Sequence, residues 1–419
     1  MNVLVSAFEC NPYKGSDSYV GWAYVTNMAK LNQVYVLTRE ANKVDIEKFF
    51  SENEMVQSSN LHFSYVKQSK LFTKYLYKIN RYLGFLGSYY AWQYSAYKVA
   101  KVICKKEKIQ VCHHVSIADF RCAGYLWKLK IPFIFGPVGG GQETPAALKM
   151  YVQGHEKGEL FRSFMNTVTT LTPNYRKALG KAILVYSSND ETTEVLSRRL
   201  RNGDKEKLVQ LTELCIDESY LDSRASVKRN DNGTVHIIVS GRLIYRKGIQ
   251  LLIDSLPSIH AKKPYVLDIF GEGDQLNLLI SRVKELGLQN NVVFHGKVDF
   301  NEMQKYYAES DIYVLPSLRE STGTAVFEAM ANKLPVVTLN QNGAKHVVED
   351  DAGILIDINS QEQILSDMGK ALSLLIDDYD LRSRLGNNGY EKLKKYYTWS
   401  ARVKQMNEVY QNVSKRSNT

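Results

Sequence analysis

Two short stretches hold the side chains best suited to chemistry. The first, Ser240-Gly241-Arg242-Leu243-Ile244-Tyr245-Arg246-Lys247-Gly248, offers two fixed cations, Arg242 and Lys247. The second, Glu320-Ser321-Thr322-Gly323-Thr324-Ala325-Val326-Phe327-Glu328, sets two carboxylates around a small-residue turn. Arginine presents a planar fork to paired phosphate oxygens, and lysine presents a point charge. An ionised carboxylate is an acceptor only, so it matches neighbouring hydroxyl donors. A diphosphate flanked by hydroxyl-rich groups, as in a sugar nucleotide, has needs that fit both stretches.

The elements that position them are legible. Val235-His236-Ile237-Ile238-Val239 is a β-branched run that stops at Gly241, and a helical pattern begins near Gly248. Asp311-Ile312-Tyr313-Val314-Leu315 ends at Pro316-Ser317, and a helical pattern begins near Thr324. Ligands of open parallel sheets bind outside the carboxyl ends of the strands. Both stretches therefore sit at a ligand edge, and the unpaired N–H groups of the helix opening at Thr324 face an anion there. The plainer readings are a solvated basic loop and a helix first-turn carboxylate. Either stretch alone matches by chance; their order, spacing and strand-to-helix context favour the site.

Arg-x4-Lys followed by Glu-x7-Glu, with Pro316-Ser317 before and Ala329-Met330-Ala331 after, resembles the retaining GT-B glycosyltransferases of family 4. The N-terminal half adds Asn11-Pro12-Tyr13-Lys14-Gly15-Ser16, Gly21-Trp22, His113-His114-Val115-Ser116 and Gly136-Pro137-Val138-Gly139-Gly140-Gly141. These are similar to a bacterial branch that builds surface polysaccharides. The C-terminal half adds Phe270-Gly271-Glu272-Gly273, Phe294-His295-Gly296 and Leu334-Pro335-Val336-Val337. The resemblance implies an α/β chain of GT-B architecture: two Rossmann-like, doubly wound parallel-sheet domains, a deep interdomain cleft and a C-terminal helix crossing back.

It also implies an activity: transfer of a hexose or N-acetylhexosamine, with retention, from a nucleotide sugar to a saccharide or lipid-linked acceptor. UDP is favoured over GDP. Arg242 and Lys247 would stabilise the leaving diphosphate. Glu320 would accept hydroxyls of the donor sugar, and Glu328 those of the ribose. Gly241, Gly296, Ser321, Thr322, Gly323 and Thr324 would complete the donor site. Gly15 and Ser16 would touch the diphosphate, and Asp17, Gly139, Gly140 and Gly141 would shape the acceptor side. A cleft histidine would bond the donor sugar. His114 is favoured, but strand neighbours point to opposite faces and the register can select His113. The chain departs from the family at Ser321-Thr322, where Gly-Phe is usual, at His346, where Glu is usual, and at His113-His114, where His-x-His is commoner.

With 419 residues the chain is too long for one ordinary core. Boundaries fall as an acceptor-side domain over 1–216, a polar linker over 217–233, a donor domain over 234–397 and a returning helix over 398–419. Hydrophobic content of 44% and charged content of 23% suit a soluble globular protein. Five cysteines without paired spacing point to a reducing, cytoplasmic compartment. The first residues read as a strand, not a signal peptide. Cys112, His113, His114 and Cys122 read as a strand followed by a helix over 119–129 more readily than as a metal site. Asp378-Tyr379-Asp380 reads as surface between helices. No metal and no cofactor is expected.

The net charge of +10 is concentrated between Lys67 and Lys108, which hold ten Lys/Arg and one acid, Glu107, among Tyr75, Tyr77, Tyr82, Tyr89, Tyr90, Trp92, Tyr94 and Tyr97. Basic and aromatic side chains on helices suit an anionic membrane surface, here the inner face of the plasma membrane. They suit packed helices with a solvated basic face equally well. Nucleic acid ranks below both, since no recognition motif accompanies the charge. Two other functions stay open: a sugar-nucleotide epimerase or hydrolase, and a membrane-surface or partner-binding protein of the same fold.

Overall fold

The structure, a computed structural model, describes residues 1–15, 17–53, 59–68, 78, 81–227 and 233–416. Ser16, Tyr75, Tyr77 and the Asn230-Asp231-Asn232 run lie outside the described residues, as does most of the first part of the basic stretch, 69–77 and 79–80. The chain forms two compact units. One holds 1–141, 163–214 and 399–419; the other holds 142–162 and 215–398.

The first unit is a seven-stranded parallel sheet. Its strands are β1 (Asn2–Ala7), β2 (Gln33–Arg39), β3 (Leu61–Val66), β4 (Val111–Ser116), β5 (Phe133–Val138), β6 (Ala182–Ser187) and β7 (Leu208–Gln210). Their spatial order is β3-β2-β1-β4-β5-β6-β7. The second unit is a six-stranded parallel sheet of β8 (Val235–Ser240), β9 (Tyr265–Phe270), β10 (Val292–Gly296), β11 (Ile312–Leu315), β12 (Val336–Leu339) and β13 (Gly353–Ile356). Its order is β10-β9-β8-β11-β12-β13. These are two Rossmann-like doubly wound sheets, as the resemblance implies. Central strands are buried along their whole length, β4, β5, β11 and β12 without exception, because helices cover both faces.

Both sheets reverse their strand order at one place, between β1 and β4 in the first and between β8 and β11 in the second. A crevice opens where two neighbouring strands send their chains away in opposite directions. The motif loops after β8 and β11 are therefore spatial neighbours although far apart in sequence.

Several expected elements differ. Residues 119–129 form no α-helix; Asp119 bridges to Gly139 and only Leu126–Lys128 turns, as a 3-10 helix. Arg121 folds back on Asp119 in two bonds of 2.7 and 2.5 Å, and Gly124 has φ +61°, so helix propagation stops. Residues 142–162, expected in the N-terminal domain, group with the second unit. The expected linker contains a helix, Glu218–Arg224, that packs in the second unit, with Tyr390 Oη bonded to the Leu221 carbonyl at 3.2 Å.

The helix Arg81–Lys106 takes part of the expected basic and aromatic stretch into the core. Tyr89 and Trp92 are fully buried, and the Trp92 indole donates to the Val66 carbonyl at 3.1 Å. Tyr90 Oη donates to the Arg121 carbonyl at 2.6 Å. Tyr89, Tyr90 and Trp92 thus pack in the core of the first unit, whereas Tyr94 is exposed. Among the described residues no helix is long and apolar enough to cross a membrane.

Candidate functional site

The second unit gathers most of the expected donor residues at its switch point. After β8 the chain turns through Gly241 and a short 3-10 segment, Tyr245–Lys247, into the helix Ile249–Ser255. Gly248 must be glycine: its φ is +67°, and a Cβ there would sit 2.0 Å from the Pro316 carbonyl oxygen. That close approach docks the first loop against the second. The Arg246 carbonyl accepts from the Leu318 and Arg319 amides at 2.9 and 3.4 Å. Gly271 serves the same end, since a Cβ on it would strike the Gly241 carbonyl oxygen at 1.8 Å.

This docking brings Lys247 Nζ onto a carboxylate oxygen of Glu320. Arg246 Nη1 lies 3.8 Å from the same oxygen. Glu320 is only 15% exposed. Burial alone pushes its carboxyl up, but the Lys247 and Arg246 charges and the Ser321 amide outweigh that and hold it below its ordinary value. Glu320 is therefore ionised at neutral pH. Arg242 is exposed and makes no ion pair among the described residues. It is thus a cation without a protein counter-charge beside a neutralised pair.

The chain then passes Ser321, Thr322 and Gly323, with φ +92°, into the helix Thr324–Ala331, which carries no side-chain N-cap. The Val326 amide donates back to the Gly323 carbonyl at 3.2 Å, and the amides before it have no acceptor within the helix. Glu328 sits one turn in. Burial raises it to about 6, although the Tyr307 hydroxyl bonds it and pulls the other way. Tyr307 in turn meets Ser240 Oγ at 2.7 Å. Gly296, with φ +71°, ends β10, and its carbonyl accepts from the Gly271 amide at 2.7 Å. The preceding His295 stacks on Phe270 at 4.2 Å and bonds Asp268 at 2.7 Å. His346 lies in the helix Ala344–Ala352, where the Tyr397 hydroxyl donates to its carbonyl at 3.2 Å.

Sequence reasoning missed residues that brace this constellation. Glu159 Oε1 accepts from the Tyr245 hydroxyl and from Arg319 Nη2, each at 2.6 Å. Gln142 Nε2 donates to the Glu320 carbonyl at 2.9 Å. Arg246 and Arg319 flank motif residues and were available as a signal. Glu159 and Gln142 come from the 142–162 segment, which nothing in the sequence ties to the second sheet.

The expected residues of the first unit gather differently. His113 is fully buried. Its Nε2 lies 2.6 Å from the Gly136 carbonyl oxygen, and its Nδ1 meets the hydroxyls of Tyr410 and Tyr24 at 2.7 and 3.0 Å. Both ring nitrogens are occupied, so the catalytic expectation for His113 is corrected: it ties the helix Trp399–Arg416 to β4. Burial holds it neutral, down to about 3. His114 points to the other face, buried between Tyr89 and Phe135, with Nε2 3.3 Å from the Ile117 carbonyl. Burial lowers it to about 4. Neither imidazole reaches solvent.

Gly15 has open space around a Cβ position, so packing does not require glycine there. Asp17 starts the helix Asp17–Met28. Burial first, then the charges of Glu213, Asp119 and Glu9, raise it to about 7. Gly139 pairs with Ala118 and Phe120 through backbone bonds of 2.9 Å. Gly140 has φ +101°, and a Cβ on Gly141 would lie 2.6 Å from Thr192 Cα. Gly141 is thus required by close packing, and Gly140 by its backbone conformation. Asp378 caps the helix Tyr379–Tyr396 through the Leu381 amide at 2.8 Å. Among the described residues no cluster of His, Cys, Asp or Glu could hold a metal ion.

With this geometry in hand, the class of the chain follows: its two sheets have the fold of GT-B glycosyltransferases. It matches the crystal structure of Alr3699/HepE from Anabaena in complex with UDP-glucose at a TM-score of 0.60 and 16% identity, covering 98% of this chain and 100% of that one. Residues 222–392 match the family described as glycosyl transferases group 1. Among curated relatives, the uncharacterized glycosyltransferase MJ1607 of Methanocaldococcus jannaschii is 30% identical over 194 residues, 46% of this chain and 48% of that protein. The lipopolysaccharide core biosynthesis glycosyltransferase LpsE of Rhizobium meliloti is 28% identical over 183 residues, 43% of this chain and 48% of that protein. The chain thus spans about half the length of these two relatives.

Proposed function

We propose that the protein is a retaining, metal-independent glycosyltransferase. It moves a hexose or N-acetylhexosamine from a nucleotide sugar, UDP-linked in preference to GDP-linked, to a saccharide or lipid-linked acceptor in bacterial surface polysaccharide synthesis. The observation that carries this reading is the Lys247–Glu320 pair beside the unpaired Arg242 and an uncapped helix N-terminus.

In the transfer, the bond between the anomeric carbon and the diphosphate oxygen breaks, and the acceptor oxygen bonds that carbon. The acceptor proton ends on the departing phosphate. Negative charge grows on that diphosphate, so cations and N–H groups already aimed at it lower the barrier. Arg242 is free to take the diphosphate at once. Lys247 is held in place by Glu320 and can share its remaining protons with the leaving group. Glu320 stays ionised and offers acceptors to sugar hydroxyls, and Glu328 offers acceptors to the ribose. Two cations at the leaving group supply the charge stabilisation that a divalent ion supplies elsewhere.

The test is nucleoside diphosphate release from UDP- and GDP-sugars in EDTA, with a panel of simple saccharide acceptors. Release from one UDP-sugar in EDTA supports the reading. Release only after adding Mg²⁺, or from no donor, contradicts it.

A further inference from the structure

The helix Glu156–Leu171 is inverted over its second half. From Ser163 onward the residues it buries are polar: Asn166, Thr169 and Thr170. Arg121 Nη1 donates to Asn166 Oδ1, and Arg199 Nε donates to Thr170 Oγ1, each at 3.0 Å. The residues it exposes include three apolar ones, Phe164 at 61%, Val168 at 39% and Leu171 at 44%, beside Thr167. Spacings of four and three place these three side chains on one helix face. A surface helix ordinarily turns the opposite way, and an exposed apolar face marks a surface that something covers.

The adjoining chain indicates the chemistry of the cover. Thr172 caps the helix Pro173–Lys181, which buries Tyr175, Ala178 and Leu179 and exposes Arg176, Lys177 and Lys181. With Arg198, Arg199 and Arg201 these cations line a concavity of about 710 Å³, and the one carboxylate on its wall, Asp204, is taken by Lys207 at 2.7 Å. Arg198 is held by Glu194, and Arg199 reaches Thr170 as described. Arg176, Lys177, Lys181 and Arg201 make no ion pair among the described residues. The helix with the apolar stripe leads through Thr172 straight into the helix that bears these cations, and apolar side chains beside unpaired cations are complementary to acyl chains under phosphates.

We propose that this surface docks the protein on an anionic lipid bilayer. Phe164, Val168 and Leu171 enter the interface, and Arg176, Lys177, Lys181 and Arg201 meet lipid phosphates. The surface lies wholly in the first unit, and the inference stands independently of the transferase reading. It replaces the buried aromatic rings of the helix Arg81–Lys106 as the docking element.

The experiment is co-sedimentation of the full chain, without donor, on vesicles of phosphatidylcholine alone and of phosphatidylcholine with about 30% phosphatidylglycerol. The wild type binds the anionic vesicles at least about tenfold better, and raising the salt weakens that binding. Phe164→Asp and the double variant Arg176→Glu/Lys177→Glu each lower binding about tenfold, with melting temperatures unchanged because all three side chains are exposed. Equal binding to both vesicle types, no binding to either, or variants that sediment like the wild type would each overturn the proposal. So would a wild-type dimer in sizing that Phe164→Asp disperses while vesicle binding stays unchanged, which assigns the stripe to a second copy.

Discussion

The switch points of the two sheets have the same topology and opposite contents. In the second unit the loops after β8 and β11 bring together side chains that stay charged: Lys247 and Arg246 around an ionised Glu320, with Arg242 in solvent. In the first unit β4 carries two histidines that burial keeps neutral, and Asp17 nearby is pushed to about 7. One switch point gathers fixed charge, while at the other His113 is satisfied internally by Tyr24, Tyr410 and the Gly136 carbonyl. Topology supplies a crevice; only the charges left without internal partners indicate what it receives.

That contrast can be broken in steps. The largest effect is expected from Lys247→Ala, which should lower turnover by about 10²- to 10³-fold, the scale of losing one charge-stabilising donor. Its melting transition should remain cooperative, so calorimetry beside the turnover assay separates chemistry from unfolding. His113→Phe should show the reverse pattern. It should cost about 2 kcal/mol of stability, since it strands the Gly136 carbonyl in the core, and leave nucleotide affinity unchanged. A loss of affinity with normal stability would return His113 to the ligand.

Glu328→Gln should weaken nucleotide-sugar binding about tenfold at pH 8, by removing an ionised acceptor. Because Glu328 loses its proton near pH 6, wild-type affinity for UDP-glucose should rise as pH climbs through that value. The Gln variant should be flat across the same range. A wild-type profile without that rise removes Glu328 from the site. A separate, pH-dependent effect is expected at Asp17. Its folded value, about 7, lies above the unfolded one, about 4, so the folded chain holds the proton more tightly. Stability should therefore fall as pH rises between those values, and Asp17→Asn should flatten that part of the stability profile.

The fold was legible because β-branched runs ending at Gly241 and at Pro316-Ser317 fix strand–loop–helix units, and parallel sheets need no other signal. The Lys247–Glu320 encounter was legible as a pattern but not as a contact. It depends on Gly248 passing so near the Pro316 carbonyl oxygen that a Cβ would lie 2.0 Å from it, a constraint that only coordinates show. The surroundings of His113 were not legible because a histidine on a buried strand looks alike whether it serves a ligand or the core. What decides is the Tyr410 hydroxyl, 297 positions away in the chain. The 142–162 segment was misplaced for the same reason: Glu159 finds Tyr245 and Arg319 through packing and not through any local pattern.

The most direct test of the account is thermal stabilisation of the full chain in EDTA by UDP, GDP, UDP-glucose, UDP-galactose, UDP-N-acetylglucosamine and GDP-mannose, repeated on Lys247→Ala. A ligand at a hundred times its dissociation constant adds about 2.7 kcal/mol, which is readily seen. The account predicts a clear shift with UDP-linked members that Lys247→Ala abolishes. No shift with any member, or the same shift in the variant, would contradict a nucleotide-sugar site at the switch point of β8 and β11.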